Sequence, residues 1–159
     1  MKKKSVIWGC VGIVVIITML IIINPFKKNI WDINAEKLKY SFQPISGDAI
    51  IDDLSAWTPF EWDTLFSFKP YITKEKVYET IGYKWDNIGE ALSEGIDQIV
   101  FMKDGKVVCY IYGVPENNKL GFNFGVYEGN YIKLTSKQKL SFKTTISGEN
   151  GVRYFDYTK

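Results

Sequence analysis

IDQIVFMKDGKVVCYIYG, residues 96–113, decides the fold. Two apolar runs rich in β-branched and aromatic residues flank Asp104-Gly105, a dipeptide that readily supplies the two positive φ angles of a primed two-residue turn. Such a hairpin sets its own register: Lys103 faces Lys106, Met102 faces Val107, Phe101 faces Val108, Val100 faces Cys109 and Ile99 faces Tyr110. Both faces of each strand are then largely apolar. Strands of that kind lie in the middle of a sheet covered on both sides, or on one whose second side meets a partner.

Toward the C-terminus the spacing predicts further strands at Leu120 to Val126, Tyr131 to Thr135, Leu140 to Ile146 and Val152 to Tyr157. The first of these places Leu120, Phe122, Phe124 and Val126 on one face, and Gly148-Glu149-Asn150-Gly151 turns the last pair. Toward the N-terminus, Thr73 to Gly82 (TKEKVYETIG) opens on a threonine cap and closes on a glycine suited to a left-handed residue, so it reads as a helix. Glu61 to Phe68 alternates Trp62, Thr64, Phe66 and Phe68 against Glu61, Asp63, Leu65 and Ser67, the period of a strand. In Gly47 to Trp57 the residues Ile50, Ile51 and Leu54 share a helical face, with Asp48 in position to cap a short helix. Asn29 to Gly47 reads as a connector, in which Tyr40 to Phe42 forms a short strand before Pro44 and Trp31 lies near a membrane surface.

Further out still, Ser5 to Ile23 is a tract of 19 residues without a charge, headed by Lys2, Lys3 and Lys4 and followed by Pro25, Lys27 and Lys28. Its length matches a hydrocarbon core, and no small-x-small cleavage site follows it, so it reads as a retained transmembrane helix rather than a signal peptide. The lysines closest to the tract favour an N-terminus inside the cell and a domain outside. The expected fold class is therefore α+β: one N-terminal transmembrane helix at about residues 5–24, then short helices packed on an antiparallel sheet. The expected division is an anchor over 1–28, a connector over 29–46 and a domain over 47–159.

Composition sets limits on function. The chain is 46% apolar and 16% aromatic, enough to offset the ordering entropy of one folded domain. Five of the 20 basic residues flank the apolar tract; the remaining 15 face 18 acidic ones, a net of −3 with Arg153 as the single arginine. That balance excludes the clustered cations a nucleic-acid binder needs. No histidine is present, which removes most zinc sites and the nucleophile systems that depend on an imidazole base. Cys10 and Cys109 cannot pair plausibly, one lying in the apolar tract and the other in a strand. No calcium-loop spacing and no phosphate-cradling glycine motif occurs, so neither a metal nor a cofactor is expected.

Three groups of residues are candidates for chemistry. Asp52, Asp53, Glu61 and Asp63 beside Trp57 and Trp62 are the materials of glycoside hydrolysis and sugar stacking, although core tryptophans with solvated carboxylates account for the same pattern. Tyr71, Tyr83, Trp85, Tyr110 and Tyr112 suit a binding surface, with burial in an aromatic core as the plainer reading. Cys109 becomes a nucleophile only beside a cation, and its place between Val108 and Tyr110 makes it an inert strand cysteine. The binding residues put forward are thus Trp57, Trp62, Tyr71, Trp85, Tyr110 and Tyr112, with no catalytic residue assigned.

The run PFEWDTLFSFKPYITKEKVYETIG with QIVFMKDGKVVCYIYG, from Pro59 to Gly113, resembles a group of small uncharacterised membrane-anchored or lipoprotein-like proteins of Gram-positive bacteria. The resemblance implies topology and an envelope location; it implies no activity and no site residue. The function expected is a non-enzymatic, membrane-tethered module outside the cytoplasmic membrane. Its partners would be the lipid bilayer through residues 5–24 and an envelope protein or cell-wall polymer, with no nucleic acid. The alternatives are a small glycan-acting enzyme that uses paired carboxylates and a single-span accessory subunit.

Overall fold

The structure is a computed structural model and describes residues 28–147 and 151–158. It opens with helix α1, Ile30–Ser41. Strand β1 (Ala49–Ile51) and a 3-10 turn (Leu54–Ala56) precede β2 (Thr64–Phe68), helix α2 (Lys74–Ile81), and the hairpin of β3 (Asp97–Lys103) and β4 (Lys106–Gly113). A one-turn helix α3 (Pro115–Asn118) leads to β5 (Leu120–Asn123), β6 (Tyr131–Thr135), β7 (Ser141–Ile146) and β8 (Arg153–Thr158).

The strands form two four-stranded sheets. One runs β4-β3-β2-β6 with every neighbour antiparallel; the other runs β1-β7-β8-β5, where β5 is parallel to β8. Side chains of both sheets meet in one core. Leu65, Ile99, Phe101, Cys109, Ile111 and Leu134 from the first pack with Ile51, Leu120, Phe142 and Phe155 from the second, and Leu38 and Phe42 from α1 and its end close one side. The opposite face of the first sheet presents Phe66, Phe68, Val100, Met102 and Val107 to Val77 and Ile81 of α2 and to Ile72, Trp85 and Ile88. The first sheet is thus covered on both sides, and each large apolar side chain buried there contributes about 2 kcal/mol of transfer free energy.

The expected fold is corrected on two counts. Among the described residues no helix is long and apolar enough to cross a membrane, and the tract read as a transmembrane helix lies outside those residues. The single antiparallel sheet is replaced by two sheets, one of them mixed, because the last strands pair with one another and with β1 rather than extending the hairpin sheet. Two local readings change as well. Within 29–46, residues 30–41 are helix: Trp31, Asn34, Ala35 and Leu38 make its inner stripe, and Asp32 in the first turn and Lys39 in the last suit its dipole. Ala49–Ile51 is a strand against β7, with Ile51 in the core and Ile50 in solvent, so the two isoleucines alternate instead of sharing a helical face. Asp53, not Asp48, is the cap that follows, accepting from Ser55 N at 3.1 Å.

The hairpin and α2 form as read. Asp104 (φ 48°) and Gly105 (φ 70°) make the primed turn, Thr73 caps α2 and Gly82 (φ 87°) ends it. The register departs after two pairs: Met102 opposes Val107, but Phe101 opposes Cys109, leaving Val108 as the extra residue of a bulge. Unbroken alternation would put Val107, Cys109 and Ile111 on one face. The bulge instead sends Val107 toward α2 and turns Cys109 and Ile111 into the core between the sheets.

Candidate functional site

Of the carboxylates beside Trp57 and Trp62, Glu61 and Asp63 line one cleft of about 590 Å³ with Trp62 and share Lys103, whereas Asp52 and Asp53 are outside its lining. Asp53 is engaged in capping the 3-10 turn, and Asp52 is exposed. Asp63 ties down the hairpin turn: its Oδ2 accepts from Asp104 N at 2.8 Å and its Oδ1 from Lys103 Nζ at 3.0 Å. The Asp104 amide first and the Lys103 ammonium second hold that carboxyl below its ordinary pKa, the opposite of what a general acid needs. Glu61 is exposed and reaches only Lys103, at 3.9 Å. Trp62 is buried against Phe101 with ring centroids 5.4 Å apart, and its indole N–H donates to Thr58 Oγ1 at 3.0 Å. Trp57 stacks on Phe42 at 6.0 Å. These two rings are core, as the plainer reading has it.

The second aromatic group does come together, around the segment that leaves α2. Trp85 is buried between Trp31 and Tyr110, with both centroid distances 5.1 Å. The Tyr110 hydroxyl accepts from Gly89 N at 3.0 Å and from Gln98 Nε2 at 3.2 Å, and burial pushes its pKa up to about 12. Tyr112 stacks on Tyr110 at 5.7 Å and donates its hydroxyl to Glu90 O at 2.7 Å. Tyr71, exposed and at φ 65°, donates its backbone N–H to Ala91 O at 2.7 Å. Tyr83 accepts from Val107 N at 3.0 Å. These hydroxyls, rings and amides clasp residues 85–91 against the sheet edge, so most of the set is holding structure.

What the clasp leaves open is a groove of about 660 Å³ alongside it. Trp31, Asp32 and Ala35 of α1 form one wall, the segment Tyr110 to Tyr112 of β4 forms the other, and Asn117 lies on its lining beyond β4. Asn34 fixes the helix there by donating from Nδ2 to Val108 O at 2.8 Å, the carbonyl that the bulge turns outward. Two of the binding residues read from the sequence, Tyr110 and Tyr112, therefore line this groove; Trp57, Trp62, Tyr71 and Trp85 do not, although Trp62 lines the separate cleft of Glu61 and Asp63. No family model, curated protein or solved structure matches the chain. The likeness drawn from residues 59–113 accordingly brings no residue role to this groove, which stands on its own geometry.

Cys109 is fully buried and burial pushes its thiol pKa up, so it carries little thiolate at neutral pH. Among the described residues no group of three acidic or cysteine side chains could hold a metal ion. The sequence reading missed α1 as a wall of the cleft. A signal was present: Asn34 interrupts the otherwise apolar stripe of Trp31, Ala35 and Leu38, as a buried amide does when it has a main-chain partner.

Proposed function

We infer that the chain is a binding module without catalytic machinery, held at the cytoplasmic membrane by its apolar tract of residues 5–24 and acting outside it. The observation that carries this reading is the groove between α1 and β4, an aromatic-walled cleft on a sheet covered on both faces. An envelope protein or a wall polymer is the class of partner that such a position would meet. The glycan-enzyme alternative is weakened because Asp63, which shares a cleft with Glu61, is spent on the hairpin turn and held ionised there, and Asp53 is spent on a cap. The single-span accessory role has no described surface that favours it.

Position is tested by protease accessibility in intact, wall-stripped cells carrying a tag after Lys159. The reading expects the tag to be removed without lysis. A tag protected until the membrane is broken would place the domain inside and remove wall polymers and exported proteins as partners.

A further inference from the structure

Resting on the binding-module reading, we propose that the groove takes an extended polypeptide segment, added as a new strand along the outer edge of β4. β4 is the terminal strand of its sheet, with β3 as its paired strand. Lys103 and Lys106 flank the two-residue turn and exchange the first hydrogen bonds of the ladder. Counting from them through the bulge, Cys109, Ile111 and Gly113 turn their main chain toward β3, while Val108, Tyr110 and Tyr112 turn theirs away. Val108 O confirms the sense, because it accepts from Asn34 on the outer side.

α1 is bonded to the edge at Val108, and beyond that point it faces Tyr110 to Tyr112 across the groove. Among the described residues nothing bonds to the outward N–H and C=O of Tyr110 and Tyr112, and both residues open onto the groove. Exposed edges are ordinarily short, charged or covered. This one presents donor, acceptor, donor, acceptor at the two-residue spacing of about 7 Å that an extended chain repeats.

That alternation selects the occupant. The main chain of an extended peptide supplies the matching order, whereas sugar hydroxyls have no fixed donor sense along a chain and a bilayer surface cannot enter between helix and strand. A second copy of the domain is too wide: α1 crosses the edge at Val108, so pairing two β4 edges would drive one α1 into the other. Side chains of the bound segment alternate between the side of Trp31 and Tyr112 and the side of Leu120. Proline is excluded wherever the segment must donate to Tyr110 O or Tyr112 O.

The test is selection of a phage-displayed random peptide library on the full chain in mild detergent, followed by amide hydrogen exchange with each selected peptide. Expected are peptides that slow exchange at the Tyr110 and Tyr112 amides. Methylating the peptide nitrogens at alternate residues should weaken binding about tenfold or more, and methylating the residues between them should not. Selection of no peptide, or of peptides that leave those two amides exchanging freely and tolerate methylation in both phases, overturns the proposal. Parallel titration with soluble wall-glycan fragments separates the two readings: glycan binding without peptide binding keeps the binding module and removes the strand addition. If neither ligand binds and the tag is also protected in cells, both readings fall.

Discussion

Asp97 shows how a single half-buried group makes the fold sensitive to pH. Its carboxylate sits at the start of β3, accepts from Phe122 N at 3.2 Å, and shares a cleft of about 420 Å³ with Glu94, Glu116 and Asp156. Burial raises its pKa from 3.8 to about 6, and the Phe122 amide offsets only part of that. Because the folded value lies above the unfolded one, the folded state binds more protons between pH 4 and 6. Stability is therefore full below about pH 4 and falls as pH rises through 6. The loss is about 3 kcal/mol. Asp97→Asn keeps an oxygen for the Phe122 amide and removes the titration. Urea midpoints should coincide for the two proteins near pH 4 and favour the variant by that amount at pH 7. Equal midpoints at both pH values would mean that the carboxylate is solvated in the folded protein. Sequence alone offered no sign of this, since Asp97 reads as the polar start of a strand and its burial depends on β5 arriving beside it.

Among the elements, those with their own punctuation were legible and those defined by a distant partner were not. α2 carries its cap and its stop in Thr73 and Gly82, and the hairpin carries its turn in Asp104-Gly105. The bulge at Val108 was hidden because the partner of its freed carbonyl, Asn34, lies 74 residues earlier in the chain. β1 was mistaken for helix because Ile50 and Ile51 are both apolar, and only pairing with β7 shows which of them is core. In the candidate site the aromatic residues were legible as a group, but their division into clasp and groove wall was not. The clasp can be tested through Gly89, where a Cβ would lie 2.4 Å from Tyr112 Cζ. Gly89→Ala should push the ring out and break its bond to Glu90 O, costing about 1 kcal/mol, and Tyr112→Phe should cost a similar amount. Since both remove one bond, the double variant should lose less than the sum of the two. Strict additivity in urea unfolding would show that the Tyr112 ring and Gly89 act independently.

For the molecule as a whole, the question is whether two sheets behave as two units or one. They share a core in which Phe142 and Phe155 meet Leu65 and Phe101, and they are bound across by Phe122 N of β5 donating to the Asp97 carboxylate of β3 at 3.2 Å. Arg153 adds a tie at the far side. Buried on β8, its guanidinium donates to Gly47 O at 3.0 Å, to Thr144 Oγ1 at 3.3 Å and to Ile45 O, so it pins the segment between α1 and β1 to the second sheet. The chain's single arginine gave no hint of this in the sequence, where only its lack of basic neighbours was visible. Arg153→Met leaves those carbonyls without their donor while keeping much of the side-chain volume. It should cost about 3 kcal/mol, in the range seen when buried hydrogen bonds to a charged group are lost. The loss should appear equally in two probes: tryptophan fluorescence in a background where Trp8, Trp31 and Trp57 are replaced by phenylalanine, leaving Trp62 and Trp85 packed on the first sheet, and far-ultraviolet circular dichroism, which reports both sheets. Coincident transitions are the outcome expected of one cooperative unit. If the variant instead shifts the dichroism and leaves the fluorescence midpoint in place, the second sheet unfolds on its own. The groove wall formed by α1 would then depend on local order rather than on the stability of the whole domain.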